Sequence, residues 1–133
     1  MRSCVLALIA ALPLAGCAST ASNTINIREG DSDMLVGNPS LLSDLGLEKV
    51  VTRRTQDRLE FQAEMVNKTS SDVRFQWRIE WFDRDGFRLD NPVPSYQPVV
   101  LNGKGIYPIQ GIAVSPAAVR ARVHVERPNE IRE

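Results

Sequence analysis

His124 is the single histidine of the chain, and no Gly-x-Ser-x-Gly elbow accompanies it. Acyl transfer needs a nucleophile, a base and an oxyanion site, so a lone histidine supplies one part of three. Zinc needs three or four ligands, which one histidine and scattered carboxylates do not assemble. His124 instead reads as a solvated or cross-strand-paired side chain on a polar strand face beside Arg122. Asp83-Arg84-Asp85-Gly86 is similar to the start of a calcium loop, but the twelfth position, which should be a bidentate glutamate, is Pro94. A hairpin turn accounts for it better. Asn102-Gly103-Lys104-Gly105 lacks the four-residue spacing and the Ser or Thr of a phosphate loop, and it too reads as a turn. The expectation is a protein without catalytic residues, cofactor or metal, and not an enzyme.

The two cysteines, Cys4 and Cys17, carry a different chemistry. Arg2 is the only charge before residue 28, and it precedes an apolar run from Val5 to Leu14, the layout of a secretory signal. The run is far short of the ~20 residues that span a bilayer. Leu14-Ala15-Gly16-Cys17 resembles the lipobox of bacterial lipoproteins. The resemblance implies cleavage before Cys17, a thioether-linked diacylglycerol on its sulfur and a third acyl chain on its amino group. It also implies membrane anchoring, since two or more chains hold a protein stably where one does not. Ala18 follows, where an inner-membrane-retained lipoprotein would carry aspartate, so the implied destination is the outer membrane, on its periplasmic side. Asn67-Lys68-Thr69 matches the glycosylation sequon, a modification uncommon in bacteria.

Sixteen basic residues balance sixteen acidic ones, so no whole-chain field draws the protein to nucleic acid. The 133 residues suit one domain. Residues 1–16 are assigned to a signal peptide, 17–33 to the lipidated cysteine and a flexible Ser/Thr/Asn-rich tether, 34–126 to a folded domain and 127–133 to a polar tail. Ile25 and Ile27 have the spacing of one short strand within the tether. Ser40 is placed to cap a short helical turn ending at Gly46.

Beyond that point the period is two. Leu59, Phe61, Ala63 and Met65 alternate with Glu60, Gln62 and Glu64, and Val73, Phe75, Trp77, Ile79 and Trp81 alternate with Arg74, Gln76, Arg78 and Glu80. The polar link Asn67 to Ser71 suggests that these two strands form a hairpin. Pro98 and Pro108 sit in runs that otherwise read as strands, which points to sheet edges or bulges. Val119, Ala121, Val123 and Val125 alternate with Arg120, Arg122, His124 and Glu126. With a strand at Val50 and Val51, the chain reads as all-β, an antiparallel β-sandwich of about seven strands with no long helix.

Asn67-Lys68-Thr69-Ser70, then Phe75 to Gly86 with both tryptophans, and the late Ile112-Ala113-Val114-Ser115-Pro116 resemble the YcfL-like family of small Gram-negative lipoproteins. The resemblance implies an immunoglobulin-like sandwich and transfers no catalytic residue, because the family has no known function. The functional expectation is a non-catalytic protein-binding or scaffolding module, held on the membrane through lipid on Cys17 and contacting an envelope protein. Its contact residues are expected to include Arg120, Arg122 and Tyr96, with an exposed edge strand or the Pro92 to Pro98 loop as the route of contact. The alternative is a binder of a small ligand or peptidoglycan fragment, using Trp and Tyr faces beside arginines. Charge rows at Glu60–Glu64, Arg74–Arg78 and Arg120–His124 are expected to pair across the sheet. Tyr96, Tyr107, Phe82 and Phe87 are expected to be mainly core.

Overall fold

A computed structural model describes residues 22–90, 92 and 94–128. The signal segment, Cys17 and the last residues of the tail lie outside them. Eight strands and one short helix follow in chain order: β1 (Asn23–Arg28), β2 (Asp31–Leu35), α1 (Pro39–Asp44), β3 (Leu45–Thr55), β4 (Arg58–Asn67), β5 (Val73–Phe82), β6 (Gln97–Leu101), β7 (Ile106–Ile112) and β8 (Arg120–Glu126). They form two antiparallel sheets, β2-β1-β8-β5-β6 and β3-β4-β7, with the core between them. The chain is an all-β sandwich, as its alternation predicts.

Period-two patterning converts directly into burial. Leu59, Phe61, Ala63 and Met65 of β4 and Val73, Phe75 and Trp77 of β5 are all buried. The sheets interlock through aromatic pairs: Phe61 meets Trp81 with centroids 6.0 Å apart, and Tyr107 meets Phe75 edge-on at 6.1 Å. Both proline-bearing strands stand at sheet edges, β6 with Pro98 and β7 with Pro108, where a missing N–H breaks no interior ladder.

Four expectations are corrected. The tether does not run to residue 33: β1 lies inside its sheet between β2 and β8, burying Ile25 and Ile27. Asn23 ties this strand to the next loop, its Oδ1 accepting from Gly37 and Asn38 N–H and its Nδ2 donating to the Asn38 carbonyl. The helix is capped by Asn38 rather than Ser40, with the Leu41 N–H donating to Asn38 Oδ1 at 3.1 Å, and it ends at Asp44. The polar tail is ordered at its start, where Arg127 Nη2 reaches Asp44 Oδ2 at 2.8 Å.

The fourth correction has the widest consequence. β4 and β5 are not a hairpin, because the Asn67–Ser71 link carries the chain from one sheet to the other. Asn67 itself is wholly buried and acts as a hub. Its Nδ2 donates to the carbonyls of Ser71, Leu101 and Asn102, and its Oδ1 accepts from the backbone and hydroxyl of Thr69. An amide so engaged is closed to glycosylation, and the sequon is a structural motif. Gly103 stacks against the same link, and a Cβ there would stand 2.3 Å from the Ser70 carbonyl oxygen.

Candidate functional site

Alternation on the five-stranded sheet sends one set of side chains into the core and the other onto a continuous outer face. From β8 the outer set is Arg120, Arg122, His124 and Glu126; from β5 it includes Arg78, Glu80 and Phe82; from β1 it is Thr24, Asn26 and Arg28. Register places Arg120 between Arg28 and Phe82, Arg122 between Asn26 and Glu80, and His124 between Thr24 and Arg78. Two neighbouring clusters result.

The first is built on Phe82. This ring points to the outer face yet is only 7% exposed. The guanidinium carbons of Arg120 and Arg122 stand 4.8 Å and 4.6 Å from its centroid, so two arginine planes cover an aromatic floor. Arg122 Nε donates to Asn26 Oδ1 at 3.1 Å, which fixes its fork. Arg28 Nη1 reaches Asp33 Oδ1 at 2.9 Å and Asp31 Oδ2 at 3.4 Å on the exposed strand β2. The hydrogen bond from Arg28, and then one from Asn26, holds the Asp33 carboxyl below its ordinary range. Arg120 differs from its neighbours: its Nε is buried and has no hydrogen-bond partner among the described residues. Burial, followed by repulsion from Arg122 and Arg28, lowers its proton affinity below the ordinary arginine value. A planar guanidinium in this state is built to receive a carboxylate or phosphate.

The second cluster is centred on Glu80, which is buried among cations. His124 Nε2 lies 2.6 Å from Glu80 Oε1, a close contact without hydrogen-bond alignment, while Arg78 Nη2 is 3.4 Å and Arg88 Nη1 3.8 Å from the same carboxylate. Burial lowers the His124 proton affinity; Glu80 opposes that shift, and Arg78 and Arg122 add to it. Glu80 offsets part of the positive charge around it, and Arg78 Nε, like Arg120 Nε, is buried without a hydrogen-bond partner among the described residues. The guanidinium of Arg78 stacks on Tyr96 at 4.7 Å. Burial, then the nearby Glu126, raises the Tyr96 hydroxyl above its ordinary value.

The three contact residues expected from sequence are thus divided. Arg120 and Arg122 share one cluster, whereas Tyr96 belongs with Arg78 at the other end of the face. The charge rows do not pair as expected either: Glu60 and Glu64 lie on the opposite sheet, where Arg53 holds Glu60 in a two-pronged contact at 2.8 Å and 3.1 Å. The Arg74–Arg78 row instead neighbours the Arg120–His124 row in one sheet. Of the four aromatic residues, Tyr107 packs against the core and Phe87 is 71% exposed. Trp77 and Trp81 are buried, so they offer no face to a ligand. A cleft of about 480 Å³ between the β1–β2 turn and β3, lined by Gly30, Asp31, Ser32, Val50, Val51 and Thr52, has no aromatic wall. Asp83 Oδ1 accepts from the Asp85 and Phe87 N–H groups, closing its own turn. Among the described residues no group of three or more His, Cys, Asp or Glu could hold a metal.

Sequence reasoning missed Arg28 and Asn26 and placed Phe82 among the aromatics expected to be mainly core. Phe82 continues the even-numbered polar row of β5, but the convergence on Arg120 depends on β8 pairing with β1 and with β5, both distant in sequence.

Two solved structures share the fold. A crystal structure of a DUF1425 family member from Shewanella sp. pv-4 is 18% identical, covers 85% of this chain and 94% of its own, and superposes with a TM-score of 0.57. The Campylobacter jejuni protein cj0090 is 19% identical, covers 62% of this chain and 85% of its own, with a TM-score of 0.51. No curated protein matches the chain. The family model for the protein of unknown function DUF1425 matches residues 32–127, from β2 to the residue after β8, and the chain therefore belongs to the DUF1425 family.

Proposed function

We propose that the protein is a lipid-anchored, non-catalytic binding module of the bacterial cell envelope, whose contact surface is the arginine cluster on Phe82. Cys17 is the anchor, placed on the periplasmic face of the outer membrane by the residue that follows it. The observation that carries the binding assignment is the pair Arg120 and Arg122, two guanidinium groups on the outer face of β8 that make no salt bridge with a carboxylate among the described residues and stand beside a third arginine, Arg28. Arginine on an aromatic floor is also the composition of interface hot spots. β1 begins six positions after Cys17, so the domain stays within about 20 Å of the anchor even if that link is fully extended.

The reading is tested in two linked steps. Alkyne-palmitate labelling and membrane fractionation of the wild type and Cys17→Ala are expected to give label and membrane retention only with Cys17. In-cell crosslinking of the wild type is expected to recover a discrete envelope protein that the Arg120→Glu/Arg122→Glu variant, still membrane-bound, does not. Unlabelled wild type would remove the anchor, and crosslinks indifferent to the arginine variant would remove the contact surface. The alternative, a binder of a small ligand or peptidoglycan fragment, would rely on Tyr96 beneath Arg78, since Trp77 and Trp81 are buried.

A further inference from the structure

We infer that the occupant of the arginine cluster is an extended acidic segment of a partner protein, with carboxylates two residues apart. This deepens the proposed binding function and rests on it. Arg120 and Arg122 are alternate residues of one strand, so their origins are separated by about 6.6 Å, the distance between alternate side chains of any extended chain. A partner strand laid along β8 with Asp or Glu at i and i+2 sets one carboxylate before each guanidinium. Arg28 stands directly across from Arg120 but is already engaged by Asp31 and Asp33, while Asn26 holds the Arg122 guanidinium in place.

The surroundings favour a peptide over other anions. A membrane headgroup is the competing anion: β1 enters the sheet at Asn23, opposite Val125, and Arg28 and Arg120 are paired about 17 Å further along the strand, an offset that the link to Cys17 can span. A free phosphate would use one guanidinium pair and ignore the repeat, while an extended segment uses both arginines. Asp31 and Asp33, at i and i+2 on the all-exposed strand β2, both converge on the single guanidinium of Arg28, which leaves Arg120 and Arg122 as the arginines open to a partner.

The test uses the full chain in detergent micelles and three probes: a peptide with glutamate at alternating positions, an isomer of identical composition with its glutamates contiguous, and vesicles containing anionic phospholipid. Fluorescence anisotropy is expected to show the alternating peptide binding at least tenfold more tightly than its isomer. Affinity for it should fall with added salt and drop at least tenfold in Arg120→Gln/Arg122→Gln, while circular dichroism keeps the wild-type β spectrum. Equal affinity for the two isomers, unchanged affinity in the double variant, or vesicle binding that depends on Arg120 and Arg122 and that the peptide does not displace would each overturn the inference. If the isomers bind equally but in-cell crosslinks still depend on Arg120 and Arg122, the extended-segment inference fails while the arginine-surface reading stands. If crosslinks are also indifferent to those arginines, both fail.

Discussion

Arg120 of β8 has Arg28 of β1 directly opposite it on one side and Phe82 of β5 on the other, so its nearest cross-strand charge is of its own sign. Like charges directly opposed in a sheet cost a few tenths to about 1 kcal/mol. Asp33, which pairs with Arg28, offsets part of that repulsion, while Arg120 makes no salt bridge of its own among the described residues, a pattern that fits a surface kept for a partner.

That cost is measurable. Arg120→Met keeps an apolar stem over Phe82 and removes the charge. The expected result is a domain as stable as the wild type or more stable by about 0.2–1 kcal/mol, with weaker partner binding. Urea unfolding checks the first part, and a marked loss of stability would show that Arg120 is structural.

His124 makes stability depend on pH with a definite sign. Burial lowers its proton affinity in the fold below the ordinary value near 6.5, so the unfolded chain binds the proton first as pH falls. The contribution of neutral His124 is complete above about pH 6.5 and is lost as pH drops from there through the depressed folded value. Unfolding midpoints measured between pH 7.5 and 5 are expected to fall toward acid, and His124→Gln is expected to flatten that slope. The side chains facing it are Glu80, Arg78 and Arg122, and Thr24 is its register partner on β1. A midpoint that rises toward acid would mean the Glu80 contact outweighs burial.

The Asn67 hub is the most demanding polar site of the fold. Asn67→Ala removes an amide that donates to three carbonyls and accepts twice from Thr69. The expected loss is about 2–4 kcal/mol, read as a lower denaturant midpoint at unchanged slope. A near-neutral result would contradict its role as the tie between the inter-sheet link and the β6–β7 connection.

Much of the sandwich was readable because alternation is a local property. Strands β4, β5 and β8 each carry an uninterrupted period of two, and the edge positions of β6 and β7 followed from the missing N–H of proline. β2 was not readable, since all five of its residues are exposed and no apolar spacing marks it. The β4–β5 hairpin expectation failed for a related reason: a polar link reads alike whether the chain folds back in one sheet or crosses to the other. At the site, the arginine row of β8 was visible in sequence, but its neighbours were set by long-range register. That register brought Arg28 and Phe82 to Arg120 and left Tyr96 with Arg78.

Site-specific photocrosslinking in cells tests the central claim most directly. A photoreactive side chain at Thr24, on the arginine-bearing face, is compared with one at Gln62, on the outer face of the opposite sheet. The account predicts a discrete adduct from position 24 that disappears in the Arg120→Glu/Arg122→Glu background, and no adduct from position 62. Adducts from position 62, or adducts from position 24 that persist without the arginines, would contradict it.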